Sequence, residues 1–183
     1  MVDGTFRITS GFVSFWDEKY DLKFQGSEEL QVELQVRDWV AARPQPKSFD
    51  KKHFVKAGWW KSRRQIHRYE QNDEALVTEA TRFSYEASAP ALKLHILTVL
   101  DGVQVPVASA LLHFLQPEEF PIFDKRVRNS LSRAGLWRRG VSDQSLEAWL
   151  EYVPIMRGLA RNLGVSLRTL DKALWAFDKW DPT

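Results

Sequence analysis

From Ser27 to Trp180 the chain repeats one pattern: a capping residue or proline, apolar residues at helical spacing, then a proline or glycine stop. That punctuation commits most of it to short helices. Ser27, followed by Glu28 and Glu29, opens a helix carrying Leu30, Leu34, Trp39 and Val40, which Pro44 and Pro46 end. A second runs from Ser48 or Asp50 to about Trp60, and Asn72 caps a third through Ala75, Leu76, Ala80 and Phe83. Pro90 suits the first turn of the next, with Leu92, Ile96 and Leu100 on one face. Asp101-Gly102 breaks it, and Pro106 starts a successor bearing Leu111, Leu112 and Leu115. Beyond a loop bracketed by Pro117 and Pro121, the spacing predicts helices near 124–134, 143–162 and 167–180, the last capped by Ser166. Residues 5–25 are aromatic-rich and receive no assignment. The expected fold is all-α, a compact helical array over 1–183, as one domain or as two fused helical lobes with a cleft between them.

A chain of 183 residues can bury a core without disulfides or a structural metal. It has no cysteine, which excludes a disulfide framework, thiolate-held zinc and iron–sulfur clusters. His53, His67, His95 and His113 are scattered, so no metal or cofactor is expected. No apolar run approaches the roughly 20 residues that span a bilayer, and the N-terminal residues lack a signal-peptide pattern. The expectation is a cytoplasmic monomer, in the cytosol or nucleoid, with no membrane contact and no obligate protein partner. The net charge is only +2. Its distribution is uneven, however. Lys125, Arg126, Arg128, Arg133, Arg138 and Arg139 form one stretch without an acid, and Lys61, Arg63, Arg64, His67 and Arg68 form another. Such one-sided charge suits a polyanion such as double-stranded DNA, or simply a solvated helix face.

Residues 92–128 carry the most chemical information. They read as a helix, a tight glycine turn, a small-residue helix, a proline-bounded loop and an aspartate opening a further helix. Gly102 allows a sharp turn and close backbone approach. The N–H groups that open the next helix can grip a phosphate without reading sequence. Leu100, Gly102, Val103, Gln104 and Ala108 resemble the hairpin core L-x-G-[VI]-G-x-x-x-A of the helix-hairpin-helix (HhH-GPD) DNA glycosylase superfamily, and the resemblance implies DNA contact by the hairpin residues Gly102, Val103, Gln104, Val105 and Ala108. The 22 residues from Gly102 to Asp124 match the spacing of its endonuclease III-like members, and Pro121-Ile122-Phe123-Asp124 resembles their approach to a catalytic aspartate. The resemblance covers about 90–135. Trp60-Lys61-Ser62-x-Arg64 and Leu170-Asp171-x-Ala173-Leu174-Trp175 are similar to stretches of short members.

The resemblance implies that Asp124 is the catalytic carboxylate. A carboxylate near C1′ stabilises the positive sugar formed when an N-glycosidic bond breaks, and it orients the attacking water. The base must first leave the duplex for a pocket, for which Trp60 and Trp175 are the candidates, with Trp59, Trp16 and Phe15 behind them. Lys61, Arg126 and Arg128 are candidate phosphate contacts beside the hairpin residues. Two positions depart from the pattern. Gln104 replaces the second hairpin glycine, so either glutamine takes a positive φ or the turn differs in shape. Pro106 occupies the position where bifunctional members carry a nucleophilic lysine, so lyase chemistry is expected to be missing. The implied activity is monofunctional hydrolysis of a damaged or modified base, in repair or in defence against phage DNA with hypermodified bases.

Plainer readings stand beside these. Asp124 is a good N-cap in its own right. Trp39, Trp149 and Trp180 read as packing, Arg126 and Arg128 as either contacts or solvated surface, and Asp171 as an ion-pair partner for Arg168. A non-catalytic helix-hairpin-helix module that binds DNA is the alternative function.

Overall fold

In a computed structural model that describes residues 6–181, the chain is all-α. Ten α-helices and one 3-10 turn, Arg63–Gln65, account for the regular structure of the described residues, with no strand among them. The helices group into two compact units, Gly26–Ile122 and a discontinuous one made of Met1–Gln25 with Phe123–Thr183.

The unit Gly26–Ile122 contains α2 (Glu28–Ala41), α3 (Lys51–Lys61), α4 (Ile66–Gln71), α5 (Glu74–Glu86), α6 (Pro90–Leu97) and α7 (Val105–Leu115). Ser27 and Asp50 cap α2 and α3 through their side-chain oxygens, as their sequence positions predict. The cap of α5 is Asp73, one residue after the expected Asn72. Helix α7 is the central element. All eleven of its residues except Pro106 are buried, and it packs against α2, α3, α5 and α6. Leu111, Leu112, Val36, Val40 and Phe54 are wholly inaccessible in this core.

Tyr69 on α4 acts as a wedge in it. A Cβ added at Gly58 of α3 falls 2.7 Å from one edge of its ring, and one added at Gly102 falls 2.9 Å from the other. Phe54 meets the same ring edge-on at 5.9 Å. Two competing effects meet at Gly58. Alanine gains about 1 kcal/mol of helix propensity, whereas overpacking against a fully buried ring costs about 1–3 kcal/mol. Gly58→Ala is therefore expected to destabilise by about 1 kcal/mol, read as a lower midpoint in urea with an unchanged slope.

Helix α5 ends on a buried cation. Lys93 Nζ donates to the carbonyls of Ser84 at 3.2 Å and Tyr85 at 2.5 Å, while Ser84 Oγ donates back to the Lys93 carbonyl at 2.8 Å. Burial pulls the Lys93 ammonium below its ordinary range, and the Glu119 carboxylate opposes that shift. Lys93→Met keeps the apolar stem but strands both carbonyls, so a loss of about 1–3 kcal/mol is expected on thermal or urea unfolding.

The discontinuous unit contains α1 (Ser10–Phe24), α8 (Lys125–Arg133), α9 (Leu146–Leu163) and α10 (Leu167–Trp180). The unassigned aromatic segment is thus a helix. Thr9 caps it, and Phe12, Trp16 and Tyr20 lie along one side, where Phe12 and Trp16 meet Phe177 of α10 at 5.1 and 5.5 Å. Ser130 Oγ of α8 donates to the Leu174 carbonyl of α10 at 2.6 Å, a buried bond that fixes these two helices. Ser166 caps α10 as expected, and Gly164 ends α9 in the left-handed conformation.

Candidate functional site

The residues singled out in the sequence divide between the two units. Gly102, Val103, Gln104, Val105, Ala108, Trp60 and Lys61 belong to Gly26–Ile122, whereas Asp124, Arg126, Arg128 and Trp175 belong to the other.

In Gly26–Ile122, α6 and α7 pack together and are joined by a turn over residues 98–104. Gly102 has φ +81°, a conformation that L residues rarely adopt, and its missing side chain makes room for Tyr69 and for Arg68 Cβ. Both features demand glycine there. Gln104, with φ −114° and ψ 176°, is extended, so glutamine takes no positive φ at this position. Val103, Val105 and Ala108 are core residues, so at this turn they offer backbone rather than side chains. A helix leaves its first N–H groups without intrahelical partners, and Pro106 removes one of them, which leaves those of Val105 and Val107.

The turn is clasped from α4. Asn72 Nδ2 donates to the carbonyls of Arg68, Tyr69 and Asp101 at 3.0–3.1 Å, and Asn72 Oδ1 accepts from the Asp101 N–H at 2.7 Å. Arg68 adds an ion pair to Asp101 at 2.6 Å, and this guanidinium holds the Asp101 carboxyl below its usual range. Asn72 therefore closes the end of α4 and clasps the turn, and does not cap the start of α5. Trp60 is half-buried and meets Phe114 of α7 edge-on at 5.3 Å, and Lys61 beside it is half-buried at the end of α3. His113 is buried, with Nδ1 at 2.9 Å from the Phe120 carbonyl.

In the discontinuous unit Asp124 caps α8. Its Oδ1 accepts from the Arg126 N–H at 2.8 Å, and the side chain is neither sealed in the core nor fully exposed. Phe123 is buried immediately before it, edge-on to Tyr152 at 5.2 Å, with the Arg128 guanidinium 4.4 Å from its ring centre. Tyr152 is wholly buried. Burial first, then the carboxylates of Asp171 and Asp124, push its hydroxyl well above the ordinary range, while Arg128 opposes them. Arg128 is buried as well, its guanidinium paired with Asp143 and donating to the Val141 carbonyl at 2.9 Å. Burial pulls it below its usual range, and Tyr152 and Asp124 oppose that. Arg126 donates to Asp178 at 3.1 Å and lies 5.5 Å from the Trp175 ring centre. Trp175 is half-buried, with Tyr20, Phe24 and Trp180 edge-on to it at 5.6–5.8 Å. Asp171 pairs with Arg168, as its sequence position suggests.

An aspartate so placed stays close to the positive end of a helix, which favours its anion, with the Arg128 cation in its electrostatic field. Such a carboxylate can stabilise a developing cation or hold a water. No group of three or more potential metal ligands occurs among the described residues, and no helix among them is long and apolar enough to cross a membrane. No family model, curated protein or solved structure matches the chain.

Proposed function

We propose that the protein is a monofunctional DNA glycosylase that hydrolyses the N-glycosidic bond of a flipped damaged or modified base and leaves an abasic site. The observation that carries this reading is the half-buried Asp124 carboxylate at the head of α8, behind a proline-bounded approach and beside a cationic helix. An anion there stabilises positive charge at C1′ and aligns water, without a cofactor. Within Gly26–Ile122 the Gly102 turn supplies backbone N–H groups for a phosphate, with Lys61 as a candidate phosphate contact and Trp60 as a candidate stacking surface; within the discontinuous unit the corresponding candidates are Arg126 and Trp175. Arg128, committed to Asp143 and Val141, acts by holding the segment around Asp143. Pro106 leaves no amine for a Schiff base at the lysine position, which favours hydrolysis alone. The partner is double-stranded DNA, met by a monomer in the cytosol or nucleoid, in base excision repair or in defence against hypermodified phage DNA.

The cap bond from Asp124 to the Arg126 N–H favours a second reading, because capping by itself explains an aspartate at this position. In that case the chain is a non-catalytic DNA-binding module. Duplexes carrying alkylated, deaminated, oxidised or hypermodified bases, incubated with the protein and then treated with alkali, separate the two. The glycosylase reading expects alkali-dependent strand breaks at one class of base. Salt-sensitive binding with no breaks on any substrate favours the module.

A further inference from the structure

Helix α8 carries a second polar feature beyond Asp124. Lys125, Arg128, Asn129, Ser132 and Arg133 recur at helical spacing and line one wall of a cavity of about 760 Å³, which the 137–143 segment closes on the other side. The cavity is strongly cationic, with Arg138 and Arg139 contributed by that segment. Its two acids are already matched: Asp143 pairs with Arg128, and Asp178 with Arg126. Arg138 pairs with Glu151 at 2.6 Å, and Arg133 donates to the Asp181 carbonyl at 2.6 Å. Lys125 and Arg139, both exposed, have no acidic partner among the described residues. Exposed Asn129 and half-buried Ser132 add uncharged polar groups between them.

We infer that this cavity takes the phosphates of one nucleic-acid strand, with Lys125 and Arg139 as the cations that make the contact. Two unmatched cations in a pocket whose acids are engaged form a site for an anion. The lining face from Lys125 to Arg133 extends along roughly 12 Å of helix axis. With charges about 3.4 Å apart along each strand of a duplex, that length faces more than one phosphate. A single inorganic phosphate uses only part of it. The inference rests on the nucleic-acid half of the proposed function and not on base release.

Anisotropy of fluorescein-labelled, undamaged duplex DNA over a series of salt concentrations tests it, because no chemistry is required. Each phosphate contact contributes about 0.9 to the slope of log affinity against log salt. Lys125→Gln/Arg139→Gln is expected to flatten the slope by about 1.8 and to weaken binding at low salt about tenfold or more. Lys23→Gln/Lys179→Gln removes the same charge from exposed positions outside the cavity and is expected to change both far less. Asn129→Glu, which places an anion on the same face, is expected to weaken binding while thermal unfolding stays unchanged. Equal effects in the two double variants, no effect in either, or no DNA binding by the wild-type chain would overturn the inference. So would competition by deoxyadenosine monophosphate at the cavity with no dependence of duplex binding on Lys125 and Arg139. If base release fails on every substrate while the slope change appears, the cavity stands and the enzyme reading falls.

Discussion

Asp124→Asn is expected to lower base release by a factor on the order of 10²–10³ while leaving the fold and DNA affinity in place. The substitution separates the two roles of this side chain. As a cap, asparagine is about as good as aspartate, since either side-chain oxygen accepts from the Arg126 N–H. As an electrostatic partner for a cationic sugar it fails, because the amide carries no charge. Thermal unfolding of the variant should follow the wild type to within about 0.5 kcal/mol, and single-turnover rates on the excised base should collapse. Asp124→Ala confounds the two, since it also removes the cap at a cost of about 1 kcal/mol. The comparison of asparagine with alanine therefore reads catalysis with stability held level.

The second large effect is structural. Gly102→Ala is expected to destabilise the protein by about 2–5 kcal/mol, combining a left-handed backbone penalty with overpacking. Alanine at φ +81° puts its Cβ 2.9 Å from the Tyr69 ring and 3.0 Å from Arg68 Cβ. Neither neighbour can retreat cheaply. Tyr69 is wholly buried, with Gly58 against its other edge, and the backbone of Arg68 is tied to the turn through Asn72. A clear drop in the thermal midpoint is the expected readout, together with weaker DNA binding, because the turn must move for alanine to fit. An unchanged midpoint would show that the turn relaxes freely and that Tyr69 does not fix it.

The sequence signals that proved legible are local. Ser27, Asp50 and Ser166 are caps because a short polar side chain before helical apolar spacing satisfies N–H groups within its own turn. Prolines and glycines mark most of the stops for another local reason: proline has no N–H to continue a helix, and glycine adopts the left-handed conformation that ends one. Helix α1 was within reach of that logic: Thr9 caps it, and Phe12, Trp16, Tyr20 and Phe24 are each four apart, but so many aromatics hide the polar face that makes a helix easy to see. Asn72 and Asp73 compete for one cap on equal propensity, and what separates them is the bond of Asn72 to Asp101, 29 residues away. The partners of Arg128, and the role of Tyr69 between two glycines, likewise depend on long-range packing that no local pattern encodes. For the candidate site, the cap position of Asp124 and the turn at Gly102 were legible in the local pattern, whereas the cavity beside α8 depends on its packing with the 137–143 segment, which no local pattern encodes.

The most direct measurement of the central claim is mass spectrometry of free base released from a panel of modified duplexes by wild-type protein and by Asp124→Asn. Release of one base class by the wild type, with an intact strand until alkali is added and almost none from the variant, is the expected result. No free base from any duplex, or equal release by both proteins, would contradict a glycosylase built on Asp124.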